Sequence, residues 1–281
     1  MSGEQVSAII PSRDGQVDAL RQRLSAQTRP PDEIVVVVGV SPNGRARNEG
    51  VARSHGDILL FIDDDALPGD AELVARVVAP LLAGDERLIT GAAKLIPPDS
   101  SRFQRWVARE VPRIEHTVVA QPLESNPDPP HYRTELTTTC AAIRREHFEA
   151  LGGFNPTLRR GVDTEFFVRA RRAGFRLLLV PHAWTWHPAP PNLRALWRKH
   201  FLYGAGHAQE LAADPARARG LQRRPLLYLL FRTAILLPNV FVPFSYNDPR
   251  WRLGFRPLKA LTSYAAALGF VWQSLRQGRQ V

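Results

Sequence analysis

Residues 58 to 65 read Ile-Leu-Leu-Phe-Ile and then, without a break, Asp63-Asp64-Asp65. An apolar run this short, built from branched and aromatic side chains with no polar alternation, fits a strand buried on both faces. Such strands belong to sheets covered by helices on either side, which restricts the chain to an α/β architecture. Open α/β sheets bind ligands at the carboxyl ends of their strands, where these acids would fall. Three adjacent carboxylates repel one another, and a divalent ion shared with a phosphate-bearing substrate would relieve that repulsion. The plainer reading is a solvated acidic turn.

The pattern around the run supports the architecture. Val6–Ile10 reads as a strand, Gln16–Gln27 as a helix, Glu33–Val38 as a strand, Arg45–His55 as a helix and Ile58–Ile62 as the third strand. Gly69–Leu82 follows with helical spacing, then Arg87–Leu95 as a strand. The alternation predicts a parallel sheet with right-handed crossovers. Residues 112–135 hold five prolines and four acids with little periodicity, and read as a long loop. Leu136–Ile143 is then predicted as a strand, with a helix from Arg144 that stops at Gly152-Gly153. Asp163–Ala173 is another helix, and Phe175–Val180 a last strand.

Beyond Pro188 the character changes. Residues 194–281 carry 14 Lys or Arg against three acids, a net of +11, while the first 193 residues sum to −1. The same third holds long apolar runs, Pro225–Leu237 and Leu258–Leu275. The first would make a helix about 20 Å long, short of the roughly 30 Å hydrocarbon core. Both are expected to lie in an anionic membrane interface, anchored by Arg and Trp, with a packed helical appendage as the alternative. No helix-turn-helix, zinc-finger or RNA-binding signature supports a nucleic-acid partner. A single cysteine, Cys140, excludes an intramolecular disulfide and suits a reducing compartment. The amino terminus shows no export signal, so the expected location is the cytoplasmic face of the cell membrane, peripheral or monotopic.

Three further features carry chemical meaning. Asp163, at a helix start in Gly161-Val162-Asp163-Thr164-Glu165, is either a helix cap or a general base held near an acceptor hydroxyl. His187, in Trp184-Thr185-Trp186-His187-Pro188, is either a packed residue or an imidazole ligand at the same sheet edge as Asp65. Gly44-Arg45-Ala46-Arg47-Asn48 is a tight turn into a helix, whose N–H groups and guanidinium suit a phosphate.

In their order and spacing these segments resemble the family 2 glycosyltransferases, over residues 5 to 208. The resemblance implies a single Rossmann-like, A-type nucleotide-sugar-binding domain over 1–208, and a basic, apolar helical region over 209–281 at the membrane interface. Val6 to Ser12 is similar to the opening strand that leads to the nucleotide, which places Pro11, Ser12 and Arg13 on the donor. Gly44–Asn48 resembles the family's Gly-x-Ala-Arg-Asn helix start, with Arg47 toward the donor. Asp63-Asp64-Asp65 resembles the aspartate-x-aspartate motif: Asp65 would hold Mg²⁺ or Mn²⁺ with Asp63 and His187, and Asp63 and Asp64 would face ribose and diphosphate. Gly152-Gly153-Phe154-Asn155 is similar to the turn before the catalytic segment, Asp163 matches the catalytic base, and Glu165 the acid two places on. One departure is plain. Where the family's second strand ends in Asp-Asp-Gly-Ser, this chain has Val38-Gly39-Val40-Ser41, so no nucleotide base is implied.

The function implied is metal-dependent, inverting transfer from a nucleotide-sugar donor to a hydroxyl acceptor, a lipid-linked or cell-envelope glycan. Two alternatives stand beside it: a sugar-phosphate nucleotidyltransferase, and a non-catalytic membrane adaptor with the same fold.

Overall fold

The computed structural model describes residues 4–84, 87–111, 113–126, 134–213, 215–218, 220–241 and 254–277. In chain order these form β1 (Val6–Ser12), α1 (Asp18–Ser25), β2 (Glu33–Val38), α2 (Asn43–Ala52), β3 (Ile58–Ile62), β4 (Leu67–Pro68), α3 (Leu73–Leu82), β5 (Leu88–Leu95), α4 (Arg102–Glu110), β6 (Leu123–Glu124), β7 (Cys140–Arg144), α5 (Arg145–Ala150), α6 (Val162–Arg172), β8 (Arg176–Trp186), α7 (Leu193–Ala213), α8 (Pro225–Ala234), α9 (Pro238–Phe241) and α10 (Pro257–Gln277). They fall into two compact units. The first comprises Met1–Pro98, Arg113–Thr157 and Val162–Pro188; the second comprises Asp99–Pro112, Leu158–Gly161 and Ala189–Val281. The expected domain boundary at residue 208 lies inside α7.

The first unit is built on one mixed sheet, in the order β2-β1-β3-β7-β5-β8-β4, with β6 on β8. β1 runs parallel to β2 and β3, and β5 parallel to β8, as the alternation predicts. β7 instead runs antiparallel to both β3 and β5. Its five residues are as apolar as those of a parallel strand, so nothing in their pattern reveals direction. The Ile58–Ile62 run is a fully buried strand. Ile58, Leu60 and Ile62 join a core with Leu20 and Leu24 of α1 and Leu73, Val74 and Val77 of α3. Because strand side chains alternate, Leu59 and Phe61 face the other way. Phe61 there begins a cluster of rings with Phe148, Phe154 and Phe166, whose centroids lie 4.6 to 5.6 Å apart. Each such pair adds roughly 0.5–1.5 kcal/mol beyond burial.

Two strands differ from expectation in ways that matter for function. β8 does not end at Val180: its pairing with β5 shifts between Gly91 and Ala93, and it resumes with Trp184 opposite Ala93. Pro181 and His182, the latter at φ 53°, occupy the bulge. A proline reads as a strand end, but a bulge accommodates it. The short β4, too brief to show a period, pairs antiparallel with the resumed strand, Leu67 with Trp186 and Pro68 with Thr185. Of the expected loop over 112–135, residues 112 and 127–133 lie outside the described residues.

The second unit is helical. α7 and α10 pack closely enough that glycine is required at the crossing: a Cβ on Gly269 would lie 1.8 Å from the Phe201 carbonyl oxygen, and one on Gly204 1.8 Å from that of Ala266. α4, in a stretch with no predicted element, begins at a capping box in which Ser101 and Gln104 exchange hydrogen bonds. Its Glu110 accepts a 2.9 Å hydrogen bond from the Leu258 N–H at the start of α10, where a carboxylate complements the helix dipole. Leu258–Leu275, expected at a membrane interface, forms most of α10 and packs one face within this unit. Leu258, Ala265, Phe270 and Val271 of α10 are buried by neighbouring helices. Among the described residues no helix is long and apolar enough to cross a membrane.

Candidate active site

The site forms at the carboxyl ends of β1 and β3. Immediately after β3, the Asp63 N–H donates to the Thr139 carbonyl at 3.3 Å, so the antiparallel β7 fixes where the acids leave the sheet. On the other side, β4 binds the tail of β8, which carries His187 to the same place. The His187 N–H donates to Leu95 O at 2.8 Å, and its Nε2 lies 3.4 Å from Asp65 Oδ1. Asp63, Asp65 and His187 each present one ligand atom within 4.8 Å of the others. Asp64, half-buried, lies outside that group.

Charge in the site is unbalanced in the direction a cation would correct. Burial holds the Asp63 carboxyl above its ordinary pKa; the Arg47 guanidinium opposes this, Asp65 adds to it, His187 opposes it and Asp163 adds to it. Two oxygen ligands and one imidazole nitrogen suit Mg²⁺ or Mn²⁺. Binding needs the ionised carboxylate, so metal affinity should weaken as pH falls through the raised Asp63 value. That Asp163 acts on Asp63 electrostatically places it in the same neighbourhood. It is the second residue of α6, with Val162 the first, and its Oδ1 accepts a 3.0 Å hydrogen bond from the Thr164 N–H. Asp163 therefore sits inside the first turn instead of before it, and is half-buried.

The remaining expected site residues fall into two groups. Pro11 and Ser12 are buried at the end of β1, with Ser12 Oγ accepting from the Gly15 N–H at 3.0 Å, and Arg13 next to them is exposed. Arg47 and Glu165 are tied into the scaffold. Arg47, 4% exposed, donates to Asp63 Oδ1 at 2.6 Å and lies 5.6 Å from the Phe154 ring centroid. Its guanidinium, expected to face the donor, holds Asp63 through this ion pair. Glu165 binds Arg169 through both carboxylate oxygens, at 2.8 and 3.2 Å, and Arg169 in turn donates to the carbonyls of Leu151 and Gly153.

The sequence reading missed a latch joining these parts. The Asn48 side chain donates to Phe154 O at 2.7 Å and accepts from the Phe154 N–H at 2.9 Å. Gly44 touches the same turn: a Cβ there would lie 2.7 Å from Asn155 O and 2.9 Å from Val162. The five-residue helix start thus clamps the Gly-Gly-Phe-Asn turn, leaving Arg47 on Asp63. The available signal was an Asn one residue after the Arg, with matched donor and acceptor.

Comparison with known proteins agrees with this architecture. A mannosyltransferase from Pyrobaculum calidifontis, solved with GDP-Man and Mn²⁺, aligns over 99% of this chain and 88% of its own, with a TM-score of 0.59 at 16% identity. Glucosyl-3-phosphoglycerate synthase from Mycobacterium tuberculosis, solved with Mn²⁺ and UDP-Glc, aligns over 75% of this chain and 79% of its own, with a TM-score of 0.51 at 16% identity. Among curated proteins, the probable glycosyltransferase YdaM of Bacillus subtilis is 24% identical over 80% of the chain, and the succinoglycan biosynthesis protein ExoM of Rhizobium meliloti is 29% identical over 76%. The chain spans 56% and 64% of those relatives' own lengths. Its residues 8–202 match the family described as glycosyltransferase like family 2. The match runs from β1 into α7, taking in the acids after β3, the clamped turn, Asp163 and His187, and by it the chain belongs to the glycosyltransferase-like family 2.

Proposed function

We propose that this chain is a metal-dependent, inverting glycosyltransferase that moves a sugar from a nucleotide-sugar donor to a hydroxyl acceptor. The observation that carries the proposal is the convergence of Asp63, Asp65 and His187 within 4.8 Å. Asp63, Asp65 and His187 would hold Mg²⁺ or Mn²⁺, which when bound offsets the charge that develops on a departing diphosphate. Arg47 keeps Asp63 in place, so the ligand set is pre-organised. Pro11, Ser12 and Arg13 would line the donor at the end of β1, with Asp64 beside them. Asp163 would accept the proton from the acceptor hydroxyl, leaving that oxygen to attack the anomeric carbon from the face opposite the diphosphate. A single displacement of this kind inverts the configuration.

The neighbours solved with GDP-Man or UDP-Glc and Mn²⁺ support a nucleotide-sugar donor and a divalent ion. ExoM's part in succinoglycan biosynthesis supports an envelope or lipid-linked glycan as acceptor. The cytoplasmic face of the membrane is the corresponding proposed location. The test is a thermal-shift screen of nucleotide sugars with and without Mn²⁺, followed by a transfer assay on the stabilising donor. Binding stabilises by mass action, so one donor should raise the melting temperature only with metal. Asp65→Asn should abolish that shift and the transfer; wild-type turnover in this variant would sink the assignment.

A further inference from the structure

The outward face of α8 is apolar where a helix on a water-exposed surface is ordinarily polar. Its inward face is satisfied: Tyr228 and Leu229 pack on Ala208, Leu211, Phe270 and Val271, and the Tyr228 ring lies 5.3 Å from that of Phe270. The opposite positions, spaced four apart, are Leu226 with Leu230 and Leu227 with Phe231, and all are exposed, Leu226 by 60% and Leu230 by 66%. Beyond α8, Leu237 is exposed by 76%. A contiguous set of large apolar side chains left in water marks a binding surface.

The charge around it selects the partner. Arg223 and Arg224 are exposed at the amino end of α8, and Arg232 lies 5.8 Å from the Tyr228 ring centroid. They belong to the segment with a net charge of +11. A second copy would set +11 against +11, whereas an anionic lipid surface complements both the charge and the apolar face. α8 is ten residues long, about 15 Å, half of a hydrocarbon core of roughly 30 Å, so it can lie in the surface but not cross it. We propose that the outward face of α8, led by Leu226, Leu230 and Phe231 and flanked by Arg223 and Arg224, docks this protein in the interface of an anionic bilayer. This centres the sequence expectation on one helix, because Leu258, Ala265, Phe270 and Val271 of α10 are buried in helix packing, with Trp272 and Leu275 exposed near its end, and it stands independently of the proposed reaction.

The experiment is cosedimentation of the full chain with vesicles of phosphatidylcholine mixed with phosphatidylglycerol, against phosphatidylcholine alone. The wild type should pellet with the anionic vesicles at low salt and less so as salt rises, since screening shortens the reach of the arginines. Leu230→Asp should lower the bound fraction roughly tenfold or more, at an unchanged melting temperature because the side chain is exposed. Arg223→Glu with Arg224→Glu should weaken binding at low salt and differ little from wild type at high salt. A wild-type chain that stays in the supernatant at low salt would overturn the proposal, as would undiminished binding by Leu230→Asp. So would a dimer, seen by light scattering, that Leu230→Asp dissociates while vesicles leave the wild type unbound.

Discussion

Asp63 carries two duties that pull in opposite directions. In the proposed reaction it must stay ionised to serve a metal, yet burial and the charges of Asp65 and Asp163 favour its protonated form. Arg47 reconciles them, and removing it exposes the conflict. Arg47→Met should cost on the order of 3 kcal/mol in a denaturant titration, because a half-buried carboxylate loses its buried partner. It should also raise the Asp63 pKa further, so Mn²⁺ binding followed by calorimetry should fail at a higher pH than in wild type. Asp163 is the converse case. Asp163→Asn keeps the shape and the hydrogen bond to the Thr164 N–H, so stability should barely move while turnover falls by about 10²-fold or more. A large loss of melting temperature with activity retained would show a structural role only. The acids and His187 were legible from residue type and order. The duty of Arg47 was not, because a guanidinium near a helix start looks the same whether it faces a phosphate or a neighbouring aspartate.

At the scale of elements, the sheet was readable wherever a strand had its own pattern. β2 and β3 have the boundaries their apolar runs suggest. β4 has two residues and therefore no pattern, yet it draws the tail of β8 and His187 toward Asp65. The direction of β7 was equally hidden, since direction depends on which residues pair and not on what they are. The helical unit shows a similar dependence on partners. Gly204 and Gly269 resemble ordinary helix-weakening glycines in sequence, and only the α7–α10 crossing explains them. Gly269→Ala should push the two helices apart and cost about 2–3 kcal/mol, measured as a lowered denaturation midpoint, although alanine favours an isolated helix by about 1 kcal/mol. A stabilised variant would mean that the crossing relaxes freely.

Taken whole, the chain shows that distant segments of sequence meet on one aromatic cluster. Phe61 precedes the acids by two residues, Phe154 sits in the clamped turn, and Phe166 follows Asp163 by three, so the spacing of the reactive carboxylates is inherited from how these rings pack. The sequence pattern located Phe61 in its strand and Phe166 in its helix, and the resemblance put Phe154 in a turn, but none of these revealed the contacts among the rings. The buried thiol offers a way to time that assembly. Cys140 lies opposite Ile62, with its pKa pushed up to about 12 by burial and by the charge of Asp63. Only a thiolate is alkylated readily, so iodoacetamide should leave the folded protein unmodified and react fully once urea unfolds it. Because the sequence contains one cysteine, each label taken up under native conditions records a separation of β7 from β3. Mass spectrometry would then give an opening frequency for the strand pair beneath the acids, and that frequency should fall when Mn²⁺ and the donor are present. The sulfur is thus a clock set into the floor of the site, running only while the floor is broken.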